Sequence, residues 1–103
     1  MTEDLTPEEQ QAIAQREAML LKLQLADDFT GIMCTVSGRR FIWSLLVEFG
    51  AFKEQYSESH AMMAYKEGRR QIGLYLIHLI NVTCPHQYQV MTTENTVYKT
   101  EEN

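Results

Sequence analysis

The chain of 103 residues has two cysteines, two prolines, one tryptophan and a deficit of positive charge. Each scarcity excludes something. Cys34 and Cys84 stand fifty residues apart with no CxxC partner, so no disulfide framework is expected. Both read as reduced, semi-buried thiols of an intracellular protein. No long apolar run occurs: the richest stretch, Ile72 to Val82, is interrupted by Gly73, His78 and Asn81 and is too short to span a bilayer. Met1 to Asp4 is acidic and no apolar segment follows it, so no secretory signal is expected. The Asn81-Val82-Thr83 sequon is then a chance match. Nine Lys and Arg against fourteen Asp and Glu leave a net charge of −5. Such a balance argues against a protein that coats nucleic acid, because phosphate neutralisation needs surplus cations. The length itself leaves room for one domain, not for a multidomain enzyme or an α/β barrel.

What is present is helical patterning. The chain is 45% hydrophobic, enough for a core. Thr6 suits an N-cap, Pro7 the first helical position and Glu9 the capping-box site, which starts a helix over Glu8 to about Leu25. Leu20, Leu21, Leu23 and Leu25 exceed what one narrow buried stripe needs, so this helix is expected to contact a partner or a copy of itself. Asp27-Asp28 is expected to end it and to cap a short helix over Phe29 to Cys34. A second main helix runs from about Ser37 to Phe49, with Ile42, Leu45, Leu46 and Phe49 on one face and Gly50 as a left-handed cap. Phe52 and Tyr56 would anchor the connection. Ser57 or Ser59 caps a third main helix running to about Asn81, with Ile72, Tyr75, Leu76, Leu79 and Ile80 facing the core. Pro85 opens a short last helix to about Thr93. The fold class is therefore all-α: a small bundle of three main helices plus one or two short ones. The expected organisation is an acidic helical arm over 1–26, a helical core domain over 27–93 and a flexible polar tail over 94–103, within which Val97 and Tyr98 could dock.

Gly38-Arg39-Arg40 and Gly68-Arg69-Arg70 form an internal echo thirty residues apart. At 100° per residue, Gly38 shares a face with Ile42 and Leu46, and Gly68 with Ile72 and Leu76. Both glycines are expected to allow close helix approach, and Gly73 is expected to be structural. Arg39 and Arg69 flank the buried faces and are expected to pair with Asp27, Asp28, Glu48 or Glu67. Arg40 and Arg70 point outward, either idle or towards an acidic partner or phosphate. Met62, Met63 and Met91 read as core fillers. Trp43 lies off the stripe and reads as an anchor for a neighbouring helix or a partner.

Chemistry is poorly represented. His60, His78 and His86 are scattered, and Cys84-x-His86 is the only tight pair, so no metal site is expected. No phosphate-binding glycine loop, GxSxG or HExxH occurs. A helix-turn-helix reader needs a shorter turn and a basic recognition helix. No enzyme activity and no cofactor are expected.

One ordered set of residues carries a resemblance: Asp28-Phe29, Met33, Thr35, Gly38-Arg39-Arg40, Trp43, Leu45-Leu46, Gly50, Phe52, Glu67-Gly68-Arg69-Arg70, Gly73-Leu74, Leu76, Pro85, Tyr88 and Met91. In this order, over about residues 27 to 94, the chain resembles a family of small proteins of tailed bacteriophages named after a protein of a Bordetella podovirus. Where members often carry Asn after the second arginine pair, Gln71 keeps an amide. The resemblance implies a product of the head and tail morphogenesis genes with no established enzymatic activity. The expectation is a virion-associated or assembly protein, located in the virion and the host bacterial cytoplasm. It would work in the internal core, near the portal or among components ejected with DNA. Its expected partners are other phage virion proteins and further copies of itself. Leu20, Leu21, Leu23, Leu25, Arg40, Trp43 and Arg70 are the expected contact residues, and Gly38, Arg39, Gly68, Arg69 and Gly73 the structural ones. The alternative is a small effector that binds DNA or a host protein through Arg40 and Arg70.

Charge is also unevenly placed. Residues 1–28 carry two basic and seven acidic groups, and residues 29–80 carry six and four. An acidic arm thus precedes a mildly basic centre.

Overall fold

The structure, a computed structural model, describes residues 4–53 and 56–102, with side chains through residue 96. Four helices account for the described fold: α1 (Pro7–Met33), α2 (Val36–Glu48), α3 (His60–Thr83) and α4 (Pro85–Glu102). Among the described residues there is no strand, in agreement with the all-α class read from the sequence.

The local start signals work as their chemistry dictates. Thr6 accepts a hydrogen bond from the Glu9 amide at 3.1 Å, and Pro7 occupies the first turn of α1, where a missing N–H costs nothing. Ser59 caps α3 through the Met62 amide. Thr35 accepts from the Gly38 amide at 2.9 Å and donates to the Ile32 carbonyl at 3.2 Å. One hydroxyl thereby joins the end of α1 to the start of α2. Gly50 takes φ 71°; its amide donates to Val47 O and the next amide, of Ala51, to Leu46 O, each at 3.0 Å. This is a Schellman closure, and buried Ala51 packs beside buried Leu46 as that closure favours.

Two boundaries differ from expectation. Asp27-Asp28 does not end α1, which continues for 27 residues to Met33. The two aspartates are exposed, so they stay hydrated, while Phe29 and Met33, one turn apart, pack inward and hold the backbone helical. The last helix runs on from Thr93 to Glu102. The expected docking of Val97 and Tyr98 lies outside the described side chains.

The core is small: Phe29, Met33, Ile42, Leu46, Ala51, Ile80 and Met91 are its buried apolar residues, with four of them essentially inaccessible. The expected α2 face is the observed one, with Ile42 and Leu46 buried and Leu45 and Phe49 half-buried. The expected α3 face is met in part: Leu76, Leu79 and Ile80 pack on the core. Gly73 and Ile80 are buried, whereas Ile72 and Tyr75 are 50% and 61% exposed. A Cβ placed on Gly73 would lie 2.8 Å from Ala51 Cβ and 3.4 Å from Phe49 Cβ. The end of α2 therefore sits on the α3 backbone, and that approach sets the face.

The two motif glycines part company here. A Cβ on Gly38 would collide with the Ile32 carbonyl and lie 2.7 Å from Thr35 Oγ1, while one on Gly68 meets nothing. Gly68 is exposed, so its expected role in close helix approach is corrected. Met91 and Met33 fill the core, but Met62 is 46% exposed and Met63 only half-buried. Tyr56, at 75% exposure, anchors nothing, and Cys34 is exposed rather than semi-buried.

The glycines give three separable expectations. Gly38→Ala forces the α1–α2 corner apart and lowers unfolding stability by at least about 2 kcal/mol; Gly73→Ala costs about 1–3 kcal/mol through overpacking. Gly68→Ala, on an open helix surface, raises stability by up to about 1 kcal/mol. Urea denaturation of the three variants checks the order.

Candidate functional site

The two Gly-Arg-Arg segments share one piece of chemistry. Neither α1 nor α2 has a basic residue in its last turn, so their terminal carbonyls need donors from elsewhere. Arg39 Nη1 donates to the carbonyl of Met33, the last residue of α1, at 2.9 Å. Arg69 Nη2 donates to the carbonyl of Glu48, the last residue of α2, at 3.0 Å. The first arginine of each motif thus caps the helix before it, with the charge sign that a C-terminus favours.

Their surroundings differ. Arg39 is buried at 8% exposure. It holds Glu94 through two bonds, Nε to Oε1 at 2.7 Å and Nη2 to Oε2 at 2.9 Å, and also donates to Gln87 Oε1 at 3.3 Å. A bidentate fork of this kind is among the stronger hydrogen-bonded arrangements. It joins α1, α2 and α4. The Arg39 hydrogen bond holds the Glu94 carboxyl below its ordinary range, opposed by burial and helped by the nearby charges of Arg39 and Arg40. Arg69 is more open. It pairs with Glu48 Oε1 at 2.9 Å and lies over the rings of Phe49 and Tyr65 at 5.7 and 5.8 Å. The expected Arg69–Glu48 pair is present. The partner of Arg39 is not one of the four acids expected but Glu94, 55 residues away. Glu94 lies one residue past the expected end of the last helix, at Thr93, and Gln87, inside that helix, carries no local sign of its partner.

The second arginines also diverge. Arg40 is exposed. Arg70 is half-buried, donates to Glu67 at 3.1 Å and keeps its Nε buried without a partner. The expectation that both point freely outward is corrected for Arg70. Trp43 is half-buried against the core with its ring 4.9 Å from that of Phe52, so the structure employs it within the chain.

The second feature is the arm. From Pro7 to Leu25 every α1 side chain is exposed, including Leu20, Leu21, Leu23 and Leu25 at 56–60% and Met19 at 57%. These five residues surround the helix rather than marking one side. The molecule measures 66 × 38 × 16 Å with a radius of gyration of 19.2 Å, against about 13 Å for a compact chain of this size. Where α1 leaves the body, an apolar groove of 560 Å³ opens between Leu25, Phe29 and Ile32 of α1 and Tyr75, Leu79 and Val82 of α3.

Among the described residues no group of three or more His, Cys, Asp or Glu is placed to hold a metal ion. None of the described helices is long and apolar enough to cross a membrane.

The Bbp19-like phage protein family matches residues 29–93, from the first buried residue of α1 to the residue before Glu94. The chain belongs to that family. No curated protein and no solved structure matches it. The family region contains both arginine caps and every core residue, while the exposed part of the α1 arm precedes it.

The sign of the Arg39–Glu94 contribution is fixed. A carboxyl held low in the folded state stabilises fully above its unfolded value, near 4.5, and less as pH falls through the folded value. Stability therefore declines on acidification below about pH 4.5. Glu94→Gln lowers the urea midpoint at pH 7 and flattens this acid limb; an unchanged limb counts against the pair.

Proposed function

We propose that this phage protein is a small, non-enzymatic virion-associated or assembly component that acts through protein–protein contacts. The observation that carries this is the arm: nineteen helical residues, 7–25, have no buried side chain, yet Met19, Leu20, Leu21, Leu23 and Leu25 ring the helix. Apolar side chains on more than one side of a helical turn leave water only when neighbours pack around it, and a patch of this kind on an isolated chain marks a protein contact. The small core and elongated body fit a part completed by neighbours. The internal core, the portal vicinity and the ejected components of the particle all offer such neighbours, with the host cytoplasm as the place of assembly. Further copies of the chain are among its partners. The arginines that would mark an enzyme or a nucleic-acid reader are largely engaged: Arg39, Arg69 and Arg70 all hold internal acids, which leaves little for an effector that grips DNA.

Mass spectrometry of purified, DNA-filled particles is expected to find the protein at a fixed ratio to the other virion components. Its absence there, with abundant free protein in the infected cell, overturns the proposal.

A further inference from the structure

Along α1, Ala14, Ala18, Leu21, Leu25, Phe29 and Ile32 follow one another at three- and four-residue steps and so line one side of the helix. Ala14, Ala18 and Leu21 are bare. Leu25, Phe29 and Ile32 form one wall of the groove against α3. A second, shallower apolar depression of 310 Å³ lies on Ala18, Leu21 and Leu25. The free stripe therefore runs without a break into the groove.

We propose that the groove is filled by the arm of a second copy, lying antiparallel on α1 in a two-fold dimer. This rests on α1 being the contact-making element of the assembly reading above. Three observations select this occupant. First, the groove runs along two helices and fits a third, and that helix must be bare. From Ala26 onward one side of α1 is already packed on its own α2 and α3, so only residues 7–25 are bare all round. In a pair related by a two-fold axis, bringing those residues beside Leu25 to Ile32 requires opposite helix directions, because a parallel two-fold pair sets each residue beside its own copy. Second, the antiparallel register is reciprocal. With Ala14 opposite Ile32 of the second copy, Leu21 falls opposite Leu25, and the reverse contacts form identically. Small alanines enter the narrow groove, and leucines meet at the open centre. Such an isologous contact closes after two copies. Third, the charges agree. In this register Glu8 and Glu9 come to lie towards the α1–α2 corner of the other copy, where Arg40 is exposed. A parallel pairing would instead place Glu8 and Glu9 beside their own copies.

The full-length protein in light scattering after size exclusion is expected at twice its 12.0 kDa chain mass. Leu21→Glu on the arm and Val82→Glu on the α3 wall each give the single-chain mass with unchanged helical circular dichroism. Leu20→Glu, on the far flank of the arm, stays dimeric. With Cys34→Ser and Cys84→Ser as background, mixed Ala14→Cys and Ile32→Cys chains cross-link on mild oxidation, and Ala18→Cys chains do not cross-link to each other. A wild-type monomer at all concentrations overturns the dimer, as does a self-cross-link at position 18. So does a dimer that ignores Leu21→Glu and Val82→Glu, or one that Leu20→Glu dissolves. A monomer that still enters particles sinks only the dimer; a dimer missing from particles sinks only the virion role.

Discussion

The fold hangs on a helix end that cannot satisfy itself. The last carbonyl of α1 meets the guanidinium of Arg39, which is buried. A buried cation needs an anion and filled hydrogen bonds to be tolerated. Glu94 and Gln87 supply both from α4. So the unmet need at the end of α1 dictates where α4 lies, and α4 in turn brings Met91 into the core. Gly38 belongs to the same constraint, because α2 starts so close to Ile32 that no side chain fits. Corner, cation and fourth helix form one dependent set.

The repeated motif shows one chemical idea at two levels of exposure. Arg69 gives the α2 end the same kind of donor that Arg39 gives the α1 end, but in a half-open place backed by aromatic rings. Exposed ion pairs contribute little, so the second cap leans on its carbonyl bond and ring contacts more than on Glu48. The glycines follow the same division. Gly38 is required by geometry, while Gly68 is a surface residue with open space for a side chain. Gly73, five residues later, takes over the close approach.

Legibility in the sequence followed the range of the interaction. Thr6, Ser59 and Gly50 act on backbone within a few residues; Thr6 and Gly50 were readable with their roles, and Ser59 as one of two candidates with Ser57. The α2 face was readable because four apolar residues repeat at helical spacing. On α3, Leu76, Leu79 and Ile80 were readable, but the turn of the face away from Ile72 and Tyr75 was not, since buried Gly73 carries no hydropathy signal. Asp27-Asp28 misled because capping residues are also harmless in an exposed helix middle when packing on either side continues. Glu94 was invisible as a partner: its contact with Arg39 depends on how four helices come together, which no local pattern encodes. The apolar excess of Leu20 to Leu25 was plain in the sequence, whereas the groove beside it required α1 and α3 to be placed.

Because α1 is unbroken through the two aspartates, its free part has no joint of its own. From Met33 to Pro7, at 1.5 Å per residue, α1 is a rod of about 39 Å, clamped where Thr35, Gly38 and Arg39 hold its base. A tilt of about 10° there sweeps the tip through roughly 7 Å, more than one helical turn. The corner therefore works as the fulcrum of a lever, and the chemistry of a few buried atoms sets where the far end of the molecule can reach.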